Sequence, residues 1–535
     1  MAEAAFTRSA PKAPRLGALA ALLLAATPAA AQVQVQTLAA PDLFSVGAGP
    51  SDLPGDLWQG SSSALARAVI PNLRPTALSP AALALARHIL SAGANAPEGA
   101  GEDADLAAGR ADALLQLGDA PVVEVIADHT PNLEQKTALS QVAAEAALID
   151  GKEDKACGIG ESLAEGRDMA FWLRLRAFCQ ARAGQAAPAQ LTLDLVQQQS
   201  RSPDYDRLMA ALLAGTDAGA AALDDGLDVA LSRRVAIGGL VPALPTAAAP
   251  AAVAAARDAA ATPPMRIEAA ARAARLGFPT PDAYALTAPI PATVAAADQP
   301  GAAGEAALVA LADTASDFSV KDEAIVALLR RAGGGAEFEA LARLARPAID
   351  QLLAAQAVLR RPGLIVQASV ASGDLAAART ARAQVAKDVP ALDIALLDAL
   401  IAAGAGRFNG GAVEALDAAG LGADAAGRAR TGDAIALLAA LGAPVSPVAR
   451  FNLAARELAP SRAPPARLMA LDLAARSARM GDTALYALTI AAGAGAGGLA
   501  ASDRAAVVRA LDQAGLKADA RAFAVEGLLA LLTRP

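Results

Sequence analysis

Aromatic residues make up only 3% of this 535-residue chain, and it holds just two histidines and two cysteines. With so few aromatics and little Val/Ile/Thr/Tyr alternation, a large β-sheet is excluded. His88 and His129 stand apart from the cysteines and from any cluster of acids, so they do not make a zinc site. No G-x-S-x-G elbow supplies a serine for either to activate. Both read as helix-end or surface residues. A C-x-x-C pair is missing, which argues against a redox enzyme. Lysine-rich runs are missing too, and the net charge is −8. An acidic chain of this kind is a poor binder of nucleic acid or anionic membrane.

Uninterrupted apolar runs are also lacking. The charge-free stretch from Val235 to Ala256 is broken by Pro242, Pro245 and Pro250, and the one from Thr483 to Ser502 by Gly493, Gly495, Gly497 and Gly498. Both owe their hydropathy to alanine, which favours insertion weakly, so neither reads as a membrane span. The glycine-rich pieces Gly404–Gly411 and Gly493–Gly498 follow no plausible strand and have no P-loop lysine, and they read as loops between helices. The sequence therefore assigns no catalytic residue, no cofactor and no metal.

What the chain has in abundance is alanine and leucine with charges at helical spacing, so the expected fold class is all-α. A recurrent turn punctuates it, in which an apolar run ends in glycine plus a following residue and a second alanine-rich segment starts at once. It occurs at Gly118, Gly151 and Gly184, 33 residues apart in both intervals, and again at Gly373, Gly481 and Gly515. A fixed period of this size is the mark of an α-solenoid of stacked helix-turn-helix hairpins. Glycine suits the position because a helix end commonly needs one left-handed residue.

In this the chain resembles the tetratricopeptide repeat family, whose unit is a helix-turn-helix with a small residue shortly after the turn. Ala156, Ala189, Ala378 and Ala520, each five residues past a turn glycine, match that small position, whereas Val123 and Tyr486 do not. The family's early tryptophan and first-helix tyrosine are largely absent. The resemblance implies a scaffold that holds other polypeptides.

The first residues carry Arg8, Lys12 and Arg15 against Glu3, then the apolar run Leu16–Ala26, then Ala29-Ala30-Ala31. This pattern predicts a signal peptide over 1–31 cleaved after Ala31, and hence a periplasmic location. The apolar core of about eleven residues is too short for a bilayer helix of roughly twenty. Proline sets the further expected divisions: an extended arm over 32–63, a helical-repeat half over 64–241, a proline/alanine-rich connector of short helices over 242–300, and a second helical-repeat half over 301–535. A continuous superhelix through all of them remains open at this point.

Two cysteines in an exported chain suggest one disulfide. Gly166-Arg167-Asp168 reads as a turn between helices, with Cys157 ten residues before its centre and Cys179 twelve after. Those separations are about 15 and 18 Å along antiparallel neighbours, so the thiols lie at similar heights. Phe171, Leu175 and Phe178 fall at i, i+4 and i+7 and predict a core stripe. Trp172 and Arg176 lie on an adjacent face and are candidate partner-binding residues, although core packing is the stronger reading. Phe44 and Trp58 in the arm must dock either on a partner or, preferably, on the chain's own first repeats. Glu161-Ser162 invites comparison with lytic transglycosylases, some of which have a superhelical body, but their further glycine- and glutamine-containing motifs are missing. The expectation is a non-enzymatic scaffold or assembly factor that binds another envelope protein or a segment of one. The alternatives are a cell-wall enzyme and a self-assembling component of a surface appendage or motor.

Overall fold

The computed structural model describes residues 42–532 except 48, 50, 279–293, 409, 410, 457 and 459. The leader over 1–31 and its cleavage point lie outside the described residues. The chain divides into residues 1–40 and one compact unit, Pro41–Pro535. The described residues form 27 α-helices, most packed against a chain neighbour, and contain no β-strand. The fold is all-α and solenoid-like, as the composition requires. No helix among the described residues is long and apolar enough to cross a membrane.

The recurrent glycine turn has one structural cause. At Gly151 the φ angle is +75°. Its N–H donates to the carbonyl of Leu148, and the Lys152 N–H donates to that of Ala147. The pair satisfies two orphan carbonyls at the end of helix Thr137–Ile149 and turns the chain directly into helix Glu153–Ser162. Gly118, Gly184, Gly373 and Gly515 repeat both the positive φ and the bond pattern. Gly481 departs from the expectation. The left-handed residue of its turn is Ala478, at φ 52°, and Gly481 lies inside the first turn of helix Met480–Ala494. The small residues beyond the turns serve close helix packing: Ala156, Ala189, Ala378 and Ala520 are all fully buried. In the proline-rich stretch helix Ala249–Arg257 is short, but helix Pro263–Arg275 runs for 13 residues with its prolines at the first turn, so the expectation of short helices throughout does not hold there.

The described residues of 42–62 contain turns and no helix, and they are held by backbone bonds to segments far along the chain. The Leu43 N–H donates to Gly101, the Ala94 N–H to Phe44, and the Gly481 N–H to Leu57. Phe44 and Trp58 are 0% and 1% exposed and meet edge to face, with ring centroids 6.2 Å apart. Both rings therefore dock within the chain. Trp58 packs against a helix more than 400 residues later, however, and not only on the first repeats.

That contact belongs to a larger closure. Helices Ser63–Val69 and Pro80–Ser91 pack on Met480–Ala494, and Pro80–Ser91 also packs on Lys517–Leu531. The Ser62 N–H donates to Asp482 at 3.1 Å, and the Ala81 N–H to Glu526 at 2.8 Å. His88, expected to be an inert helix-flank residue, lies between Asp519 on the last helix, 3.0 Å from Nδ1, and Asp52 in the arm, 2.9 Å from Nε2. The hydrogen bond to Asp519, joined by that to Asp52, raises its pKa to about 9. Both ring nitrogens then donate. Because the folded pKa is above the unfolded value, the clamp's stabilisation is full below about pH 6.5 and is lost as pH rises through about 9. Thermal midpoints at pH 6 and 9.5 should therefore differ more for the native chain than for His88→Gln, and an equal difference would remove the clamp.

Candidate functional site

Helix Glu153–Ser162 ends against the loop 163–169, and helix Ala170–Arg182 returns antiparallel to it. The expected disulfide between Cys157 and Cys179 joins the two, with Cα atoms 5.9 Å apart. Leu175 and Phe178 are buried as their spacing predicts, and Phe171 is half-buried beside them. Together with Trp172, Leu173, Tyr205 and Leu208 they belong to a separate apolar cluster confined to residues 144–236. This module thus has its own core. Cys157→Ser/Cys179→Ser is expected to lower its stability by roughly 3 kcal/mol, since the bridge closes a loop of 22 residues. Unfolding of the oxidised and double-serine chains checks this.

One stripe of helix Ala170–Arg182, comprising Trp172, Leu175, Arg176, Cys179 and Gln180 at three- and four-residue spacing, lines a cavity of about 440 Å³. Cys157, Gly160 and Glu161 from the preceding helix, Arg167 from the loop, and Gln185 complete it. The volume lies within the roughly 300–1,000 Å³ of small-ligand sites. Its lining mixes polar and apolar groups, and Arg167, Arg176 and Glu161 all contribute to it. Arg167 donates to the carbonyls of Leu163 and Glu161, at 2.6 and 2.5 Å, and Arg176 donates to that of Arg167 at 3.3 Å. Neither guanidinium forms an ion pair among the described residues. Some other arginines are paired, as Arg182 is with Asp154 and Arg456 with Asp417, while Arg174 and Arg233 likewise bond to backbone carbonyls.

The structure thus brings Trp172, Arg176, Cys157 and Cys179 to one place and leaves Phe44 and Trp58 in the interior elsewhere. Trp172 is 3% exposed, so the core reading applies to its ring, and its Nε1 is buried without a hydrogen-bond partner. Glu161 is exposed at the cavity edge. His129 is a helix-end residue, its Nδ1 2.8 Å from the Val125 carbonyl oxygen.

Two acids that motif reading passed over titrate near neutrality, and both lie outside the cavity. Asp228 is 6% exposed, and burial, reinforced by Asp225, Asp204 and Asp224, pushes it up to about 7. Glu145 rises to about 7 for the same first reason, burial. One Asp228 oxygen has no partner. Folded pKa values above the unfolded ones mean that both groups favour the fold most below about pH 4 and lose that effect as pH rises through 7. Asp228→Asn should therefore raise stability at pH 8 and not at pH 4, as thermal melts at the two pH values will show. Their signal is positional, a carboxylate on the inward face of a helix, and motif spacing does not carry it. Among the described residues no group of three or more His, Cys, Asp and Glu is placed to hold a metal ion.

No protein family, curated protein or solved structure matches this chain.

Proposed function

We propose that this protein is a non-enzymatic, tetratricopeptide-like scaffold of the bacterial envelope that acts outside the cytoplasm by binding another envelope protein or a segment of one. The observation that carries the reading is the cavity of the disulfide-bonded module, which Arg167, Arg176 and Glu161 line over the Cys157–Cys179 bridge. The leader-like sequence and the disulfide support an oxidising location. The all-helical hairpins and their buried alanines support the repeat reading. Fold alone does not fix function, so the site bears the argument.

Crosslinking in the native envelope followed by capture of the tagged chain tests it. The expected result is one specific partner, recovered by the native chain and lost with Arg176→Glu, while the melting curve is unchanged because Arg176 is exposed. Recovery of no specific partner overturns it. The competing reading, a cell-wall hydrolase, has Glu161 at the cavity edge in its favour. Turnover of peptidoglycan that Glu161→Gln abolishes would replace the scaffold reading with that one.

A further inference from the structure

Helix Glu153–Ser162 is anchored at both ends and loosely held between them. Its first turn is fixed by ion pairs, Glu153 with Arg182 and Arg234 and Lys155 with Glu124 and Asp128, and Ala156 behind it is fully buried. Past its far end Leu163 is fully buried, and the Ala164 N–H donates to the Glu134 carbonyl at 2.9 Å. From Cys157 to Ser162 only Cys157 is buried: Gly158, Glu161 and Ser162 are exposed, and Ile159 and Gly160 are half-buried. Two interior glycines leave this half of the helix with little conformational preference of its own. Arg167 ties Glu161 only to the loop, and Arg176 reaches the loop at Arg167, beyond the helix. The bridge to Cys179 is therefore the main tie that keeps residues 158–162 down on helix Ala170–Arg182.

What that half covers is specific. A Cβ added at Gly160 would stand 3.6 Å from a ring carbon of Trp172 and 3.3 Å from a Leu175 methyl carbon, so the glycine lies directly on both. Beneath it Trp172 and Leu175 are 3% and 1% exposed. The cover has a cost, because the Trp172 Nε1–H is buried without a hydrogen-bond partner, and water would satisfy it once the cover lifted. An orphaned donor and two helix glycines thus oppose closure, and one covalent bond holds it. That bond is within reach of solvent: Cys157 and Cys179 both line the cavity of about 440 Å³, and Cys179 is half-buried. Thiol–disulfide exchange needs such access to one sulfur.

We propose that the Cys157–Cys179 bridge is a redox-operated latch, which a dithiol reductant opens so that residues 158–162 lift and uncover helix Ala170–Arg182 at Trp172 and Leu175. A thiolate of the reductant attacks the Cys179 sulfur, the S–S bond breaks, and Cys157 leaves as a thiolate that takes a proton from water. The reductant's second thiol, deprotonated in its turn, displaces the Cys179 sulfur, which is then protonated. Two electrons pass to the bridge, and the products are two cysteine thiols and the reductant's own disulfide. Both anchors stay in place, so the opening is local. The latch is a property of the hairpin and goes beyond the scaffold reading.

Dithiothreitol added to the full, folded chain tests this. Quenched alkylation should label both cysteines while far-UV circular dichroism stays native. Amides of 158–162 should exchange roughly tenfold faster, while helix Ala170–Arg182 keeps its protected amides. Acrylamide quenching of Trp172 emission should rise over the constant background of the interior Trp58 and return to its starting value on reoxidation. Cys157→Ser/Cys179→Ser should show the uncovered state with or without dithiothreitol. A bridge that resists the dithiol in the folded chain overturns the proposal, and so does reduction that leaves exchange and quenching unchanged. Loss of helical signal, or of protection in 158–162 and helix Ala170–Arg182 together, also overturns it, because the bridge would then hold the module's fold and not its cover. None of these outcomes bears on the crosslinked partner, so the scaffold reading stands or falls separately.

Discussion

Replacing Arg110 with methionine is expected to free the arm from the helices and to lower the stability of the unit by roughly 4 kcal/mol, because four carbonyls lose a charged donor at once. Arg110 lies on helix Ala104–Gln116 and is 2% exposed. Its Nε donates to Leu90 at 2.7 Å, its Nη1 to Phe44 at 3.1 Å, and its Nη2 to Val46 and Ala92 at 3.0 and 2.9 Å. Two of those oxygens belong to the arm and two to the end of helix Pro80–Ser91, so one fork joins both. The guanidinium carbon also lies 5.1 Å from the centroid of the Phe44 ring. Burial pulls the arginine down to about 10, which leaves it charged at any pH the protein meets. Methionine fills the space but donates nothing. Arg110→Lys keeps the charge and reaches fewer carbonyls, so its loss should be intermediate. Hydrogen exchange at Leu43, Ala94 and Asn95 is the measurement. Unchanged protection in Arg110→Met would show that the arm is held by other means.

Trp58→Ala carries the other large effect, about 3–5 kcal/mol, the usual loss for emptying a fully buried tryptophan site. The ring fills the space between Phe44 and helix Met480–Ala494. There Gly481 presses so close that an added Cβ would stand 2.5 Å from a Trp58 ring carbon and 2.6 Å from the Ser61 Oγ. Gly481→Val should therefore be destabilising on its own by overpacking the same place. Combining Gly481→Val with Trp58→Ala should recover part of the loss, since each change empties or fills the other's space. The two ends of the described chain would part in either single variant, which accelerated proteolysis between residues 42 and 62 would reveal. Additive losses in the double variant would show that the residues do not share one packing site.

Both predictions concern contacts of the arm that no local pattern in the sequence announced, near ones through Arg110 and distant ones through Trp58. A run such as Pro54–Trp58 reads as extended because proline and glycine disfavour a helix, but its docking partner lies some 420 residues away, and a period of 33 residues describes only neighbours. His88 shows the same limit. Its spacing on helix Pro80–Ser91 is that of an ordinary flank residue, and its partners come from the arm and the last helix. Gly481 was legible as a glycine near a turn, but its reason, room for an indole ring, belongs to a tertiary contact.

The candidate site was half legible. The i, i+4, i+7 stripe and the distances of the two cysteines from the Gly166 turn are local quantities, so the core of helix Ala170–Arg182 and the disulfide followed from periodicity and helical rise. Trp172 and Arg176 were distinguishable as an adjacent face. That Arg167 stands beside Arg176, and that neither finds an acid, depends on how the loop 163–169 folds back. Burial of Asp228 and Glu145 depends likewise on helices brought together from different parts of the chain.

By itself, then, the sequence determined the helical class, the glycine turns at 118, 151 and 184, the buried small residues that follow them, and the disulfide. Each of these is set by backbone conformational preference or by spacing within one or two helices, where the interacting groups are a few residues to a few tens of residues apart. Only the tertiary structure decided that the arm and the first helices close onto the last ones, that His88 fastens that closure while Arg110 ties the arm to helix Pro80–Ser91, and that Arg167, Arg176 and Glu161 line one cavity over the disulfide. These depend on groups whose separation along the chain says nothing about their separation in space, and on which charges the packing leaves without partners.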